Sequence, residues 1–204
     1  MDRIHKISSN ILAGLPGKNA HQRLAPFAAR LEYKIPASAQ KAAVLILLYQ
    51  KDEKYYFPLI TRQSNHPEDK HKGQVALPGG RLDPTDRNTW ETALRETVEE
   101  IGVAKDRITQ IGALSSLYIP VSDHLVFPYV AFFDGIPDFE IQEQEISSLH
   151  EIDLDLLPLA ENRKSQELKT TDGPVLKVPS IQINGLVIWG ATGMILEEFT
   201  ELLI

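Results

Sequence analysis

The feature that most narrows the fold is an uninterrupted apolar run of eight residues, Ala42 to Tyr49, followed closely by the charged turn Lys51-Asp52-Glu53-Lys54. Such a run is far short of the ~20 residues needed to cross a bilayer, and one bounded by turn residues reads as a buried strand. A second strand over 55–61 returns from the turn, so the pair is predicted to form a hairpin. Further strands are expected at 74–77, near 107–119 and near 125–133, with a turn at Pro78-Gly79-Gly80 and a short acidic helical piece around 153–157. Asp172-Gly173 and Asn184-Gly185 are hairpin signals, the latter between 180–183 and 186–189. Helices are predicted over Thr89–Ile101 and Ala191–Leu203; Ala191, Ile195, Phe199 and Leu202 share one face of the second. Residues 4–13 and 20–32 carry looser helical spacing, broken at Pro16-Gly17. This order predicts an α+β sandwich, with a helical extension over 1–38 ahead of a main domain over 39–204.

Charge and composition limit what such a domain handles. Of the 204 residues, 43% are hydrophobic, enough for a sizeable core. The 28 acidic against 21 basic residues leave a net charge of −7, which argues against a broad cationic surface for nucleic acid or an anionic membrane. The expected partner is a small molecule, and any phosphate it carries must meet local cations or a metal; a homodimer is left open. With no cysteine, disulfides, thiolate catalysis and zinc-thiolate sites are excluded. The patch Ile11–Leu15 is cut by Pro16 and lacks the apolar core of a signal peptide, so the expected location is cytoplasmic.

The helix over Thr89–Ile101 carries the chemistry. Asn88 is placed as N-cap with Glu91 three residues on, a capping box, and Gly102 ends the helix. Glu96, Glu99 and Glu100 fall within a sector of about 100°, opposite Trp90, Leu94, Val98 and Ile101. On an arbitrary helix this would be a solvated face. Here the like-charged pair Glu96 and Glu100 costs ~0.2–0.5 kcal/mol, and carboxylates in the last turn oppose the helix dipole by roughly 0.3–1 kcal/mol. A cation relieves both. Oxygen donors without cysteine or paired histidine suit Mg²⁺ or Mn²⁺. One loop earlier, Gly79-Gly80 removes side chains and lets a ligand approach the backbone.

Gly80, Arg95, Glu96, Glu99, Glu100, Gly102 and Val103 resemble the Nudix box, G-x5-E-x7-R-E-U-x-E-E-x-G-U with U apolar. Asp86 stands at the first acidic position, Thr97 at the apolar position after Arg-Glu, and the Asp86–Arg95 gap is one residue longer than the pattern. A longer gap with a stretch similar to Asp83-Pro84-Thr85-Asp86 is typical of the Nudix subfamily that cleaves coenzyme A. Leu59-Ile60-Thr61, His71-Lys72-Gly73-Gln74-Val75-Ala76 and Val187-Ile188-Trp189-Gly190-Ala191-Thr192 resemble that subfamily's flanking signatures, although Gln63 and Lys70 stand where it has arginines and Leu77 where it has phenylalanine.

The resemblance implies a Nudix-type α/β/α sandwich with a mixed sheet, and metal-dependent hydrolysis of coenzyme A or acyl-CoA to 3′,5′-ADP and (acyl-)phosphopantetheine. Another nucleoside diphosphate derivative, such as ADP-ribose, NADH or a dinucleotide, is the alternative; a non-catalytic Nudix-fold binding module is the second. By the same resemblance Glu96, Glu99 and Glu100 would hold Mg²⁺ or Mn²⁺. Arg95 would orient them, and Glu145 would add a ligand or base from a loop. The substrate would lie against Gly79 and Gly80, with Arg62, Lys70, His71 and Arg81 near its phosphates.

Overall fold

The computed structural model describes residues 3–63, 73–169 and 175–204. In chain order its elements are α1 (Arg3–Ala13), α2 (Lys18–His21), β1 (Gln40–Lys51), β2 (Lys54–Arg62), β3 (Val75–Ala76), β4 (Gly79–Arg81), α3 (Thr89–Ile101), β5 (Ile108–Ala113), β6 (Leu117–Ile119), β7 (His124–Phe133), β8 (Ile146–Asp153), β9 (Arg163–Lys169), β10 (Val175–Ile183), β11 (Leu186–Trp189) and α4 (Gly190–Glu201). Among the described residues no helix is long and apolar enough to cross a membrane.

The apolar run becomes the central strand. β1 pairs in parallel with β7 from Gln40↔His124 to Leu48↔Phe132 and antiparallel with β2 through a turn in which Asp52 and Glu53 take φ of 49° and 63°. Those two left-handed residues fit the two-residue hairpin turn whose twist matches the strands. β3 and β8 pair with β2, β4 with β1, and β5 and β6 with β7, giving a mixed sheet; β9, β10 and β11 form a separate antiparallel sheet. The fold is therefore mixed α+β, as the element order predicted, around the large mixed sheet that the resemblance implied.

Both faces of β1 are buried, which is why it reads as continuously apolar. Ala43, Leu45, Leu47 and Tyr49 face α3 with Ala93 and Ile101. Ala42, Ile46 and Leu48 face the other core, built with Ile7 of α1, Leu24, Ile181 and Ile188 of the small sheet, and Ile195 and Phe199 of α4. The N-terminal segment is thus packed into the same core as the central strand.

Several elements differ from the sequence expectation. Pro78-Gly79-Gly80 runs into β4, paired with Ala42–Val44, instead of making a free turn. β8 was not anticipated, because Ser147, Ser148, His150 and Glu151 break its apolar alternation; it is defined by pairing with β2. The expected strand over 107–119 divides into β5 and β6, and the helix over 20–32 shrinks to α2 plus a 3-10 turn at Ala28–Leu31. The acidic piece is likewise a 3-10 turn, Leu154–Leu156. Asp172-Gly173 lies outside the described residues.

Candidate active site

β4 and α3 meet at two glycines. Gly79 lies opposite Val44 and Gly80 opposite Ala43. A β-carbon on Gly79, whose φ is +146°, would fall 2.2 Å from the Ala43 carbonyl oxygen; one on Gly80 would fall 2.3 Å from Glu96 Oε2. The glycines therefore let the strand close on β1 and let the helix carboxylates come down onto the strand.

α3 begins and ends where the sequence places it. The Asn88 side chain accepts from Glu91 N at 3.0 Å, and Gly102 at φ 70° donates its N–H to the Val98 carbonyl. The return half of the capping box differs: Glu91 accepts from Arg87 N at 2.9 Å.

The three box glutamates have three different environments. Glu100 is not on an open polar edge: it is 2% exposed on the buried side with Ala93 and Ile101, and its Oε2 accepts the Gly79 N–H at 2.8 Å. Burial pushes its carboxyl up to about 8, against the lowering effects of that N–H and of Arg62, with Glu96 and Glu145 adding to the rise. Arg62 Nη1 stands 3.7 Å from its Oε1. Glu96 is also raised, first by burial, and by the charges of Glu99 and Glu145, with Arg95 opposing. Glu99 is 58% exposed and accepts from Arg95 Nη1 at 3.0 Å.

Arg95 joins these groups to the loop before the helix. Its Nε and Nη2 donate to the two oxygens of Asp86 at 3.0 and 2.9 Å, its Nη2 also donates to the Arg81 carbonyl, and its Nη1 lies 3.0 Å from Glu96 Oε1. The hydrogen bonds from Arg95 hold Asp86 well below the usual carboxylate range, and Asp86 in turn raises the guanidinium. Such a two-pronged pair fixes orientation as well as charge. Ahead of Asp86 the loop closes in a tight turn: Asp83 Oδ1 accepts from Thr85 N, and Asp83 N donates to Asp86 Oδ2 at 3.0 Å. Thr92 Oγ1 completes the Asp86 contacts at 2.9 Å, a role with no signal in the sequence beyond its place one turn after the cap.

Of the remaining predicted residues, Glu145 is exposed, its carbonyl accepts from Gln63 N at 2.7 Å, and its charge bears on Glu96 and Glu100. It therefore belongs to the same acidic group. Arg81 contributes its backbone; strand alternation turns its exposed side chain to the face of β4 away from Glu96. Lys70 and His71 lie outside the described residues.

The acidic group fits a hard divalent cation by donor type and by charge, because Glu96, Glu99, Glu100 and Glu145 offer oxygen alone, and the charges of their neighbours help raise the proton affinity of Glu96 and Glu100. Among the described residues no three of these side chains converge on one point: Arg95 Nη1 sits between Glu96 and Glu99, and Glu100 is turned to Gly79. Binding a cation would require Arg95 to yield Glu96 and Glu99 while Asp86 keeps the other side of the guanidinium.

The NUDIX domain family model matches residues 39–176. The chain is 36% identical over 137 residues to the Nudix hydrolase NudL of Yersinia enterocolitica, covering 64% of this chain and 68% of that protein. It is 41% identical over 97 residues to the NudL of Pectobacterium atrosepticum, covering 48% of this chain and half of that relative's length. In fold, it is similar to a MutT/nudix family protein from Enterococcus faecalis, with a TM-score of 0.50 at 22% identity over 91% of this chain and 70% of that one. With the family model spanning most of the chain and Glu96 and Glu100 set against the glycine strand, the protein belongs to the Nudix hydrolase family.

Proposed function

We propose that the chain hydrolyses the pyrophosphate bond of coenzyme A or an acyl-CoA, releasing 3′,5′-ADP and the (acyl-)phosphopantetheine, with Mg²⁺ or Mn²⁺ at the carboxylates. The observation that carries the reading is the seating of Glu96 and Glu100 against Gly80 and Gly79, within reach of the charges of Glu99 and Glu145 and with Arg62 beside Glu100. The subfamily reading draws support from the Asp83–Asp86 turn, which presents Asp86 to Arg95 in spite of the longer gap between them, and from the Val187–Thr192 segment that runs from β11 into α4.

The division of labour follows from the contacts. A divalent cation at the carboxylates would neutralise phosphate oxygens, acidify a water and stabilise the leaving phosphate. Glu96, Glu99, Glu100 and Glu145 would hold it. Arg95, fixed by Asp86, aims Glu96 and Glu99; the Gly79 N–H aims Glu100. Gly80 leaves the space into which the Glu96 carboxylate reaches, and Arg62 offers a charge-assisted donor to a phosphate oxygen.

The test is to incubate the full chain with Mg²⁺ or Mn²⁺ and coenzyme A, acyl-CoA, ADP-ribose, NADH and dinucleotides, and to identify products by mass. Release of 3′,5′-ADP from coenzyme A supports the reading. Turnover of ADP-ribose with coenzyme A untouched overturns it in favour of the alternative substrate.

A further inference from the structure

The segment ahead of the family-matched residues contains a buried cation that no carboxylate among the described residues neutralises. Arg30 is 8% exposed. It sits in the 3-10 turn Ala28–Leu31, its N–H donating to the Phe27 carbonyl at 3.0 Å, and its Nη2 donates to the Tyr118 carbonyl of β6 at 2.7 Å. No carboxylate among the described residues is hydrogen-bonded or charge-coupled to it; its electrostatic neighbour is Tyr33, and burial holds its guanidinium below the usual value. Asp123, near the same strand, is engaged by the Tyr118 hydroxyl at 2.7 Å.

A guanidinium has five N–H donors, and one so buried is ordinarily paired, because desolvating an uncompensated charge is costly. Flanking it are two aromatic rings that are themselves half exposed, Phe27 at 49% and Tyr33 at 51%, packed edge to face with centroids 6.5 Å apart. A planar fork suits the oxygens of a phosphate, and exposed aromatic faces suit a planar base.

We propose that Arg30, Phe27 and Tyr33 form an anion site for a nucleoside monophosphate, its phosphate on the Arg30 fork and its base on the aromatic pair. The site lies outside the carboxylate cluster and is supplied by residues that precede the family-matched segment, so it stands whether or not coenzyme A is the hydrolysed substrate.

The test is calorimetry and thermal unfolding of the full chain with AMP, inorganic phosphate and adenosine. Wild type is expected to bind AMP saturably, inorganic phosphate more weakly and adenosine most weakly. Arg30→Met should weaken AMP by at least ~10-fold, the scale of a lost charge-assisted pair, while the melting temperature stays close to wild type, because no carboxylate among the described residues loses a partner. Glu100→Gln should bind AMP as wild type does, which separates this site from the acidic group. Should Arg30→Met fail to fold, Arg30→Lys and the Phe27→Ala/Tyr33→Ala pair carry the same test; the former should lose affinity for both anions, the latter its preference for AMP over phosphate. Absence of saturable anion binding by wild type, or AMP affinity unchanged in the Arg30 variants, overturns the proposal, as does loss of AMP binding in Glu100→Gln.

Discussion

The backbone N–H of Gly79 donates to Glu100 Oε2 at 2.8 Å, tying the last turn of α3 to the strand below it. Through that bond a carboxylate is kept almost wholly out of water beside Arg62, on the edge of an acidic group. The buried side of the helix is thus anchored twice, by the apolar packing of Ala93 and Ile101 and by a buried glutamate.

The two neighbouring glycines should fail in different ways. Gly79→Ala places a β-carbon 2.2 Å from a backbone carbonyl in a left-handed residue, and should lower stability by about 2 kcal/mol or more, read as a lower urea midpoint. Gly80→Ala meets the end of the Glu96 side chain instead. That side chain can swing away, so kcat should fall ~10-fold or more with the urea midpoint nearly unchanged. Equal midpoints in both variants would contradict this.

Asp86→Asn removes the charge on which Arg95 is braced and gives one of its two oxygen positions to an amide. Arg95 would still reach Glu96 and Glu99 but without fixed direction, so kcat should drop by ~10–100-fold, or roughly 1.4–2.7 kcal/mol of barrier, with KM little altered. Steady-state kinetics on the substrate identified by mass check it. An unchanged kcat would show that Arg95 needs no brace.

A second buried carboxylate, remote in sequence from the box, predicts an acid limb. Glu198 of α4 is fully buried and accepts from His21 Nε2 at 2.9 Å, Ser115 Oγ at 2.6 Å and Gly17 N at 3.1 Å. Burial alone would raise it, yet the bonds from His21 and Ser115 hold it below its ordinary value. A lowered folded value means that its stabilisation is present above the unfolded pKa of ~4.3 and is lost as pH falls through the folded one. Urea unfolding between pH 3 and 7 should therefore show a steeper acid loss in wild type than in Glu198→Gln. Glu198→Ala should cost about 3–5 kcal/mol at neutral pH by leaving its donors stranded.

The sequence was most legible where local rules decide the outcome. α3 runs from Thr89 to Ile101 between its Asn88 cap and Gly102, as spacing and capping required, and the Asp52-Glu53 turn joins the first hairpin. Legibility failed where long-range pairing decides. β4 contains two glycines and forms because β1 offers an edge; β8 is polar and is held by β2. Within the site, the box residues were legible as a group, but their separate fates were not. Helical spacing places Glu96 and Glu100 on one side, and contact with a glycine strand 21 residues earlier then buries one of them. Glu198 and Arg30 were missed because nothing in local sequence marks a charge that tertiary packing will enclose.

On the proposed function, pyrophosphate cleavage depends on a divalent cation taken up by the acidic group on α3. Manganese titration by calorimetry, run on wild type and Glu100→Gln and paired with hydrolysis assays on both, tests it most directly. Wild type is expected to take up manganese saturably, with uptake weakened at least ~10-fold in the variant and hydrolysis falling in step. Undiminished manganese binding and undiminished turnover in Glu100→Gln would contradict it.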